Sequence, residues 1–253
     1  MKRTKYFFTV ALLLVGLTFP VHAELPGDVL FQVSTLDALL AGIYDGEMTY
    51  GELEEHGGFG LGTFNQLDGE MVALDGEFYQ VKDDGAAYPV PDSARTPFAV
   101  VTFFEPDQEL SVTGPVDYEG LKRALDDSLP TKNIFYALRI EGEFDYLKAR
   151  SVPKQTKPYK PLSEVVVEQV EFEFDDVSGT LVGFRCPEYV KGINVAGYHL
   201  HFITEDRSAG GHVLEVRTGD VTVEIDETAH FFVSLPDDRE FYAADFSRES
   251  YVE

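Results

Sequence analysis

The sequence predicts a β-rich α/β fold of α+β character, an N-terminal mixed β-sheet domain with helices followed by a C-terminal antiparallel, barrel-like β domain. Three observations predict it. Short stretches rich in Val, Phe, Tyr and Ile are separated by Asp-Gly, Gly-Gly and Pro-containing turns, so strands dominate. Three helices are credible, all ahead of a second half whose pattern is almost entirely β. Between Ser151 and Leu162 the composition shifts to Lys, Pro and Thr, with Pro153, Pro158 and Pro161, which resists both helix and central strand. The chain of 253 residues therefore divides into a leader at 1–23, a mixed-sheet domain at 24–160 and a β domain at 161–253.

The leader opens with Lys2, Arg3 and Lys5, continues through an apolar run from Tyr6 to Pro20, and ends on Val21-His22-Ala23. That is the pattern of a signal peptide cut after Ala23, with an apolar run too short to span a bilayer. It predicts a secreted or periplasmic protein. In the first domain, Ser34 or Thr35 can cap a helix through Ala41, and Thr49 with Glu52 forms a capping box for a helix ending at Gly57. A third helix is expected over Asp117–Asp127, stopped before Pro130. Phe98–Phe104 is a continuous apolar run, and Asn133–Glu141 alternates with Ile134, Tyr136, Leu138 and Ile140 on one face. Both read as buried strands. The repeat Leu67-Asp-Gly-Glu70 and Leu74-Asp-Gly-Glu77 reads as two successive turns.

Beyond the boundary, Val170, Phe172 and Phe174 alternate with Glu171 and Glu173, and a turn is expected at Ser178-Gly179 before Thr180–Cys186. Val221, Val223 and Ile225 repeat the alternation. Short strands at this spacing suggest an antiparallel barrel or sandwich.

The formal charge is −25, and removing the leader takes three cations from 20 and no acids from 45, leaving 17 − 45 = −28. Such a surface repels nucleic acid and anionic membranes, and gives no general attraction for an anionic substrate. A site that takes a carboxylate must then supply its own positive centre. Cys186 is the only cysteine, so no intrachain disulfide forms, and its apolar surroundings in sequence mark it as a small buried hydrophobe.

Three of the six histidines fall between positions 199 and 212. On a strand through Tyr198-His-Leu-His-Phe202 the two-residue period puts His199 and His201 on one face, with Tyr198, Leu200 and Phe202 on the other. The Ser- and Gly-containing segment Glu205–Gly211 returns the chain as an antiparallel neighbour starting at His212. Three imidazoles on adjacent strands leave a bound metal with open positions, the catalytic rather than the structural pattern. Zn, Fe, Ni, Cu and Mn all accept imidazole, and the spacing also suits a cupin-like oxygenase or isomerase, or a secreted metal-binding protein without turnover. From pattern alone Glu70 and Glu77 read as solvated turn acids, and Arg150 as a residue near the linker that a domain interface could desolvate. Phosphate-binding Gly loops, a Gly-x-Ser-x-Gly elbow and a His-Glu-x-x-His helix are absent.

The runs Gly60-Leu-Gly-Thr63-Phe-Asn-Gln-Leu-Asp-Gly-Glu70, Asp75-Gly-Glu-Phe-Tyr79, Lys157-Pro-Tyr-Lys-Pro-Leu162 and Gly197-Tyr-His-Leu-His-Phe202 through Gly211-His-Val-Leu214 resemble the α-acetolactate decarboxylase family. The resemblance covers nearly all of the chain after the leader. It implies decarboxylation of 2-acetolactate, a 2-hydroxy-3-keto acid, to acetoin by a two-domain homodimer with one zinc ion per chain at the domain junction. His199, His201 and His212 match the zinc ligands, Glu70 the acid/base carboxylate and Arg150 the active-site guanidinium. Thr63 matches a position lining the substrate pocket, and Glu253 a glutamate of the C-terminal tail that approaches the metal.

Overall fold

The computed structural model describes residues 29–246. The expected leader and Glu253 lie outside the described residues. The first sheet has seven strands, in spatial order His230–Ser234, Val29–Val33, Ala99–Thr102, Phe59–Thr63, Glu70–Leu74, Glu77–Val81 and Ala87–Pro89. Val29–Val33 and His230–Ser234 run parallel and the remaining neighbours antiparallel, which makes the sheet mixed, as expected. Asp75 and Gly76, at φ 56° and 82°, form the tight turn between Glu70–Leu74 and Glu77–Val81 that their sequence requires.

The second sheet is built on Phe135–Ser151, a 17-residue strand flanked by Val170–Cys186 and Gly210–Thr228. Gly197–Thr204 pairs with both flanking strands, so the four close on themselves, and Gln108–Val112 and Val116–Asp117 add to Gly210–Thr228. Every pairing is antiparallel, so the barrel-like second sheet is present. The turn expected at Ser178-Gly179 is not: Val170–Cys186 is continuous, with Ser178 opposite Glu143 and Gly179 opposite Gly142. Gly179 serves close packing instead, because a Cβ there would lie 2.5 Å from the Phe202 ring.

Strand alternation sorts the side chains into three apolar layers. Leu30, Leu61, Val72 and Val100 of the first sheet meet Ala137, Val182, Phe184 and Ile203 of the second in a shared core. Tyr136, Leu138 and Ile140 turn to the barrel interior with Phe144, Phe202 and Val223, closed by Leu121 and Leu125 of the helix Tyr118–Ser128. Phe31, Met71, Ala99 and Val101 turn outward, beneath Tyr50 and Leu53 of the helix Tyr50–Glu54. Burial on both faces explains the apolar stretch Phe98–Val101, whereas Phe103, past the end of the strand Ala99–Thr102, is exposed. Cys186 is buried in the shared core, which pushes its thiol up to about 12.

The three expected helices form. Thr35 caps Leu36–Leu40, Thr49 and Glu52 make the reciprocal capping box of Tyr50–Glu54, and Asp117 caps Tyr118–Ser128. The second helix stops before the expected Gly57, which has left it to lie against strand backbone; a Cβ on Gly57 would meet Thr102 at 2.2 Å. No helix among the described residues is long and apolar enough to cross a membrane.

Pairing does not follow the 24–160 and 161–253 division. Phe135–Ser151, on the N-terminal side of the boundary, is the centre of the second sheet, while His230–Ser234 returns to edge the first. The Pro-rich linker runs between, tied down where Tyr44 Oη donates to Lys160 O at 2.9 Å and Tyr159 Oη to Asp45 at 3.0 Å.

Candidate metal centre and active-site pocket

His199 and His201 project from Gly197–Thr204 on one face, and His201 lies directly opposite His212 across the strand pair. Gly211 makes that approach possible: it sits at φ +142°, and a Cβ would meet Arg150 O at 2.6 Å. His199 Nε2 is 3.2 Å and His201 Nε2 3.3 Å from His212 Nδ1, and one ligand nitrogen from each ring lies within 4.8 Å of the others.

The hydrogen-bond inventory shows what these nitrogens want. His201 Nδ1 is 2.8 Å from Met71 O, and a carbonyl can only accept. Nδ1 therefore carries the proton, and Nε2 presents a lone pair to the cluster. A proton on His212 Nδ1 could satisfy only one of its two neighbours, so the three nitrogens converge with more lone pairs than donors. His199 Nδ1 is also buried without a hydrogen-bond partner among the described residues. Burial, helped by neighbouring Arg150, holds His199 and His212 far below the usual histidine range and His201 at about 3, so all three rings are neutral. Nitrogens held at ~2.0–2.1 Å from one tetrahedral ion are roughly 3.3 Å apart, which matches the observed spacings. Neutral, converging and underdonated, the three rings fit a divalent cation.

Glu70 approaches from the other sheet. It begins the strand Glu70–Leu74, is 7% exposed, and places Oε2 3.6 Å from His201 Nε2. Burial raises its carboxyl pKa, opposed by Arg150, whose Nη1 donates to Oε1 at 2.8 Å. Arg150 lies in register with His212 on the neighbouring strand, so Arg150, His212 and His201 form a row across three strands of one sheet. The sequence had placed Arg150 in the first domain beside the linker; only Glu70 and Thr63 come from the first sheet. Thr63 is opposite Glu70 and lines the pocket, with its hydroxyl donating to Gly69 O at 2.7 Å. Glu77 has no place there: it starts the next strand and is exposed, the solvated turn acid its pattern suggested.

These groups share one cavity of about 140 Å³ between the sheets. Its lining combines Glu70, Arg150 and the histidines with apolar side chains that include Leu36, Leu39, Leu162 and Val195. Sequence reasoning missed that apolar lining. Leu36 and Leu39 sit at helical spacing that reads as ordinary core, and Val195 lies in an irregular segment with no periodicity to assign a face.

A mixed sheet packed on a closing antiparallel sheet, with a tri-histidine cluster, a buried carboxyl and an arginine in the seam, defines a β-rich protein with a pocket whose histidines could hold a metal ion. A model of the alpha-acetolactate decarboxylase family matches residues 30–248, and the chain belongs to that family. It is 55% identical over 223 residues to an alpha-acetolactate decarboxylase of Methanosarcina mazei, covering 87% of this chain and 77% of that protein. The corresponding protein of Bacillus licheniformis is 44% identical over 229 residues, covering 90% of each chain. The crystal structure of the Bacillus subtilis alpha-acetolactate decarboxylase superposes with a TM-score of 0.86 at 43% identity, covering 87% of this chain and 94% of that one.

Proposed function

We propose that the chain decarboxylates 2-acetolactate to acetoin and CO₂ in the seam between its sheets, as its family membership supports. The observation that carries the reading is the convergence of Glu70, Arg150 and three neutral histidines on one small cavity that also has apolar lining. His199, His201 and His212 would hold a divalent ion, proposed to be one zinc per chain, whose Lewis acidity stabilises the negative charge on the substrate's ketone and hydroxyl oxygens.

The remaining roles fall to the chain itself. Arg150 is the positive centre that the acidic surface cannot provide, and it holds the substrate carboxylate against its guanidinium. Cleavage of the bond between C1 and C2 releases CO₂ and leaves the electron pair delocalised between C2 and the ketone oxygen. Glu70, whose burial favours the protonated form, delivers a proton to C2 and so completes acetoin. Delivery from one side fixes the configuration at that carbon. The apolar lining excludes water from the nascent carbanion, and Thr63 buttresses the strand from which Glu70 projects. The family resemblance supports Glu253 as an additional acid of the site. The leader pattern at 1–23 supports export with cleavage after Ala23, and the resemblance supports a homodimer.

Purified enzyme assayed under strict anaerobiosis, with metal content measured in parallel, tests the reading. One CO₂ per acetoin, lost on chelation and restored by metal, is the expected result. A requirement for O₂, or metal-loaded protein without turnover, would overturn it in favour of an oxygenase or a metal-binding protein.

A further inference from the structure

The strands that carry the histidines are also the two that close the second sheet on itself. Among the described residues, Gly197–Thr204 and Gly210–Thr228 meet through three register pairs: His201 with His212, Phe202 with Gly211, and Ile203 with Gly210. Past His201 the partners diverge. His199 and Leu200 pair with Phe184 and Gly183, while Val213 goes on to face Ala149. The pair His201–His212 is thus the last rung of the closing ladder, and His199 stands just beyond it. Two of the three rungs end on glycine, which offers no side chain to grip its partner across the seam. So short and bare a ladder is a weak frame for three ligand nitrogens that lie within 4.8 Å of one another.

The turn at the far end supplies what the ladder lacks. Thr204 N donates to Ala209 O at 2.9 Å, which leaves residues 205–208 as the tip. Asp206 organises that tip. Its Oδ1 accepts from Thr204 Oγ1 and from Ser208 Oγ, each at 2.7 Å, and from Ser208 N at 3.1 Å, while Thr204 Oγ1 accepts the Ala209 N–H at 3.1 Å. The shaped tip presents Ser208 O to Ala87 N of the first sheet at 2.9 Å, beside an antiparallel bridge between Ala86 and Ala209. Arg207 adds an ion pair to Asp75 at 3.5 Å. The hairpin is therefore docked on the first sheet twice, at its tip and at its last rung, where His201 Nδ1 donates to Met71 O. Both docking points belong to the run of strands that begins with Glu70.

We propose that Asp206 is a positioning residue for the metal centre: by tying the tip it keeps the closing ladder shut, so that His201 and His212 are in register before an ion binds. The proposal rests on the reading of the three histidines as a metal site. An ion that binds only the closed form loses affinity in proportion to the fraction of molecules that are open. Asp206 is exposed on the tip and is not among the residues that line the pocket, so its influence on the chemistry passes through the histidines.

The test measures Zn²⁺ affinity, by competition with a chromophoric chelator, in the parent, Asp206→Ala, Asp206→Asn and Ser208→Ala. Hydrogen exchange of the metal-free proteins is followed in parallel by mass spectrometry. Asp206→Ala is expected to bind zinc about tenfold more weakly or worse, with faster exchange confined to residues 198–216. Asp206→Asn keeps the accepting Oδ1 and should bind like the parent. Ser208→Ala removes one of the three bonds, should lose about threefold, and supplies the reading if Asp206→Ala is insoluble. A turn that serves general stability alone would lower the melting temperature of the metal-free protein and leave zinc affinity unchanged. Parent-like affinity in folded Asp206→Ala, parent-like affinity in Ser208→Ala where Asp206→Ala does not fold, an equal loss in Asp206→Asn, or faster exchange spread over the whole chain overturns the proposal. A parent that binds no zinc overturns the metal reading as well, which separates the two failures.

Discussion

Glu70 and Arg150 hold each other at 2.8 Å in a largely buried pocket, so each sets the state of the other. Burial pushes the Glu70 carboxyl toward its protonated form, and Arg150 pulls it back. A carboxyl balanced in this way can give up a proton and be refilled, whereas a fully solvated one would be ionised near neutral pH. Glu70→Gln keeps an oxygen that can accept from Arg150, and leaves the three histidines untouched. The variant should bind metal like the parent while kcat falls by about 10²-fold or more, the usual contribution of a positioned general acid. Arg150→Lys keeps the charge but loses the planar fork, and a lost charge-assisted bond of ~1.5–3 kcal/mol corresponds to roughly 10- to 100-fold in kcat/KM. Parallel steady-state kinetics and metal analysis check both; a fully active Glu70→Gln enzyme would remove Glu70 from the proton transfer.

At the scale of elements, the histidine hairpin was legible because its signal is local. Two histidines two residues apart share a strand face, and a short polar turn at 205–209 brings back a third. Arg150 was not legible as their neighbour, because alternation in its strand breaks after Glu141. Register shifts between Gly142 and Phe144, Phe144 and Tyr146, and Lys148 and Ala149 carry the strand on to Ser151 while scrambling the two-residue pattern. Those shifts are what bring Arg150 opposite His212. Gly211 stands at the end of this arrangement, so Gly211→Ala tests the hairpin as a device. Its φ of +142° and the 2.6 Å approach to Arg150 O leave no room for a methyl. A strained position of this kind costs about 1–3 kcal/mol, and relief of the strain displaces His212. Thermal melting should show the lost stability, and metal titration should show affinity weakened by about tenfold or more; parent-like binding would mean the backbone there is free to adjust.

For the whole molecule, the linker marks a change of composition without separating two independent cores. The first sheet and the barrel share Leu30, Leu61, Val72 and Val100 against Ala137, Val182, Phe184 and Ile203. The strand His230–Ser234, from the last part of the chain, lies parallel to Val29–Val33 at its start. A local reading could not find that pairing, because parallel neighbours about two hundred residues apart leave no turn signal between them. The arrangement predicts how the chain responds to being cut. A fragment ending at residue 160 retains the 17-residue strand Phe135–Ser151 but deletes both of its neighbours, leaving two unpaired edges. It also loses the barrel side of the shared core and the parallel edge strand, so its exposed apolar surface favours aggregation over folding. The fragment should lack a cooperative thermal transition by circular dichroism, while the full chain melts in a single step that rises with bound metal. A fragment 24–160 that melts cooperatively on its own would show that the seam holding Glu70 against the histidines is a junction between two self-sufficient domains, and that site assembly can be separated from folding.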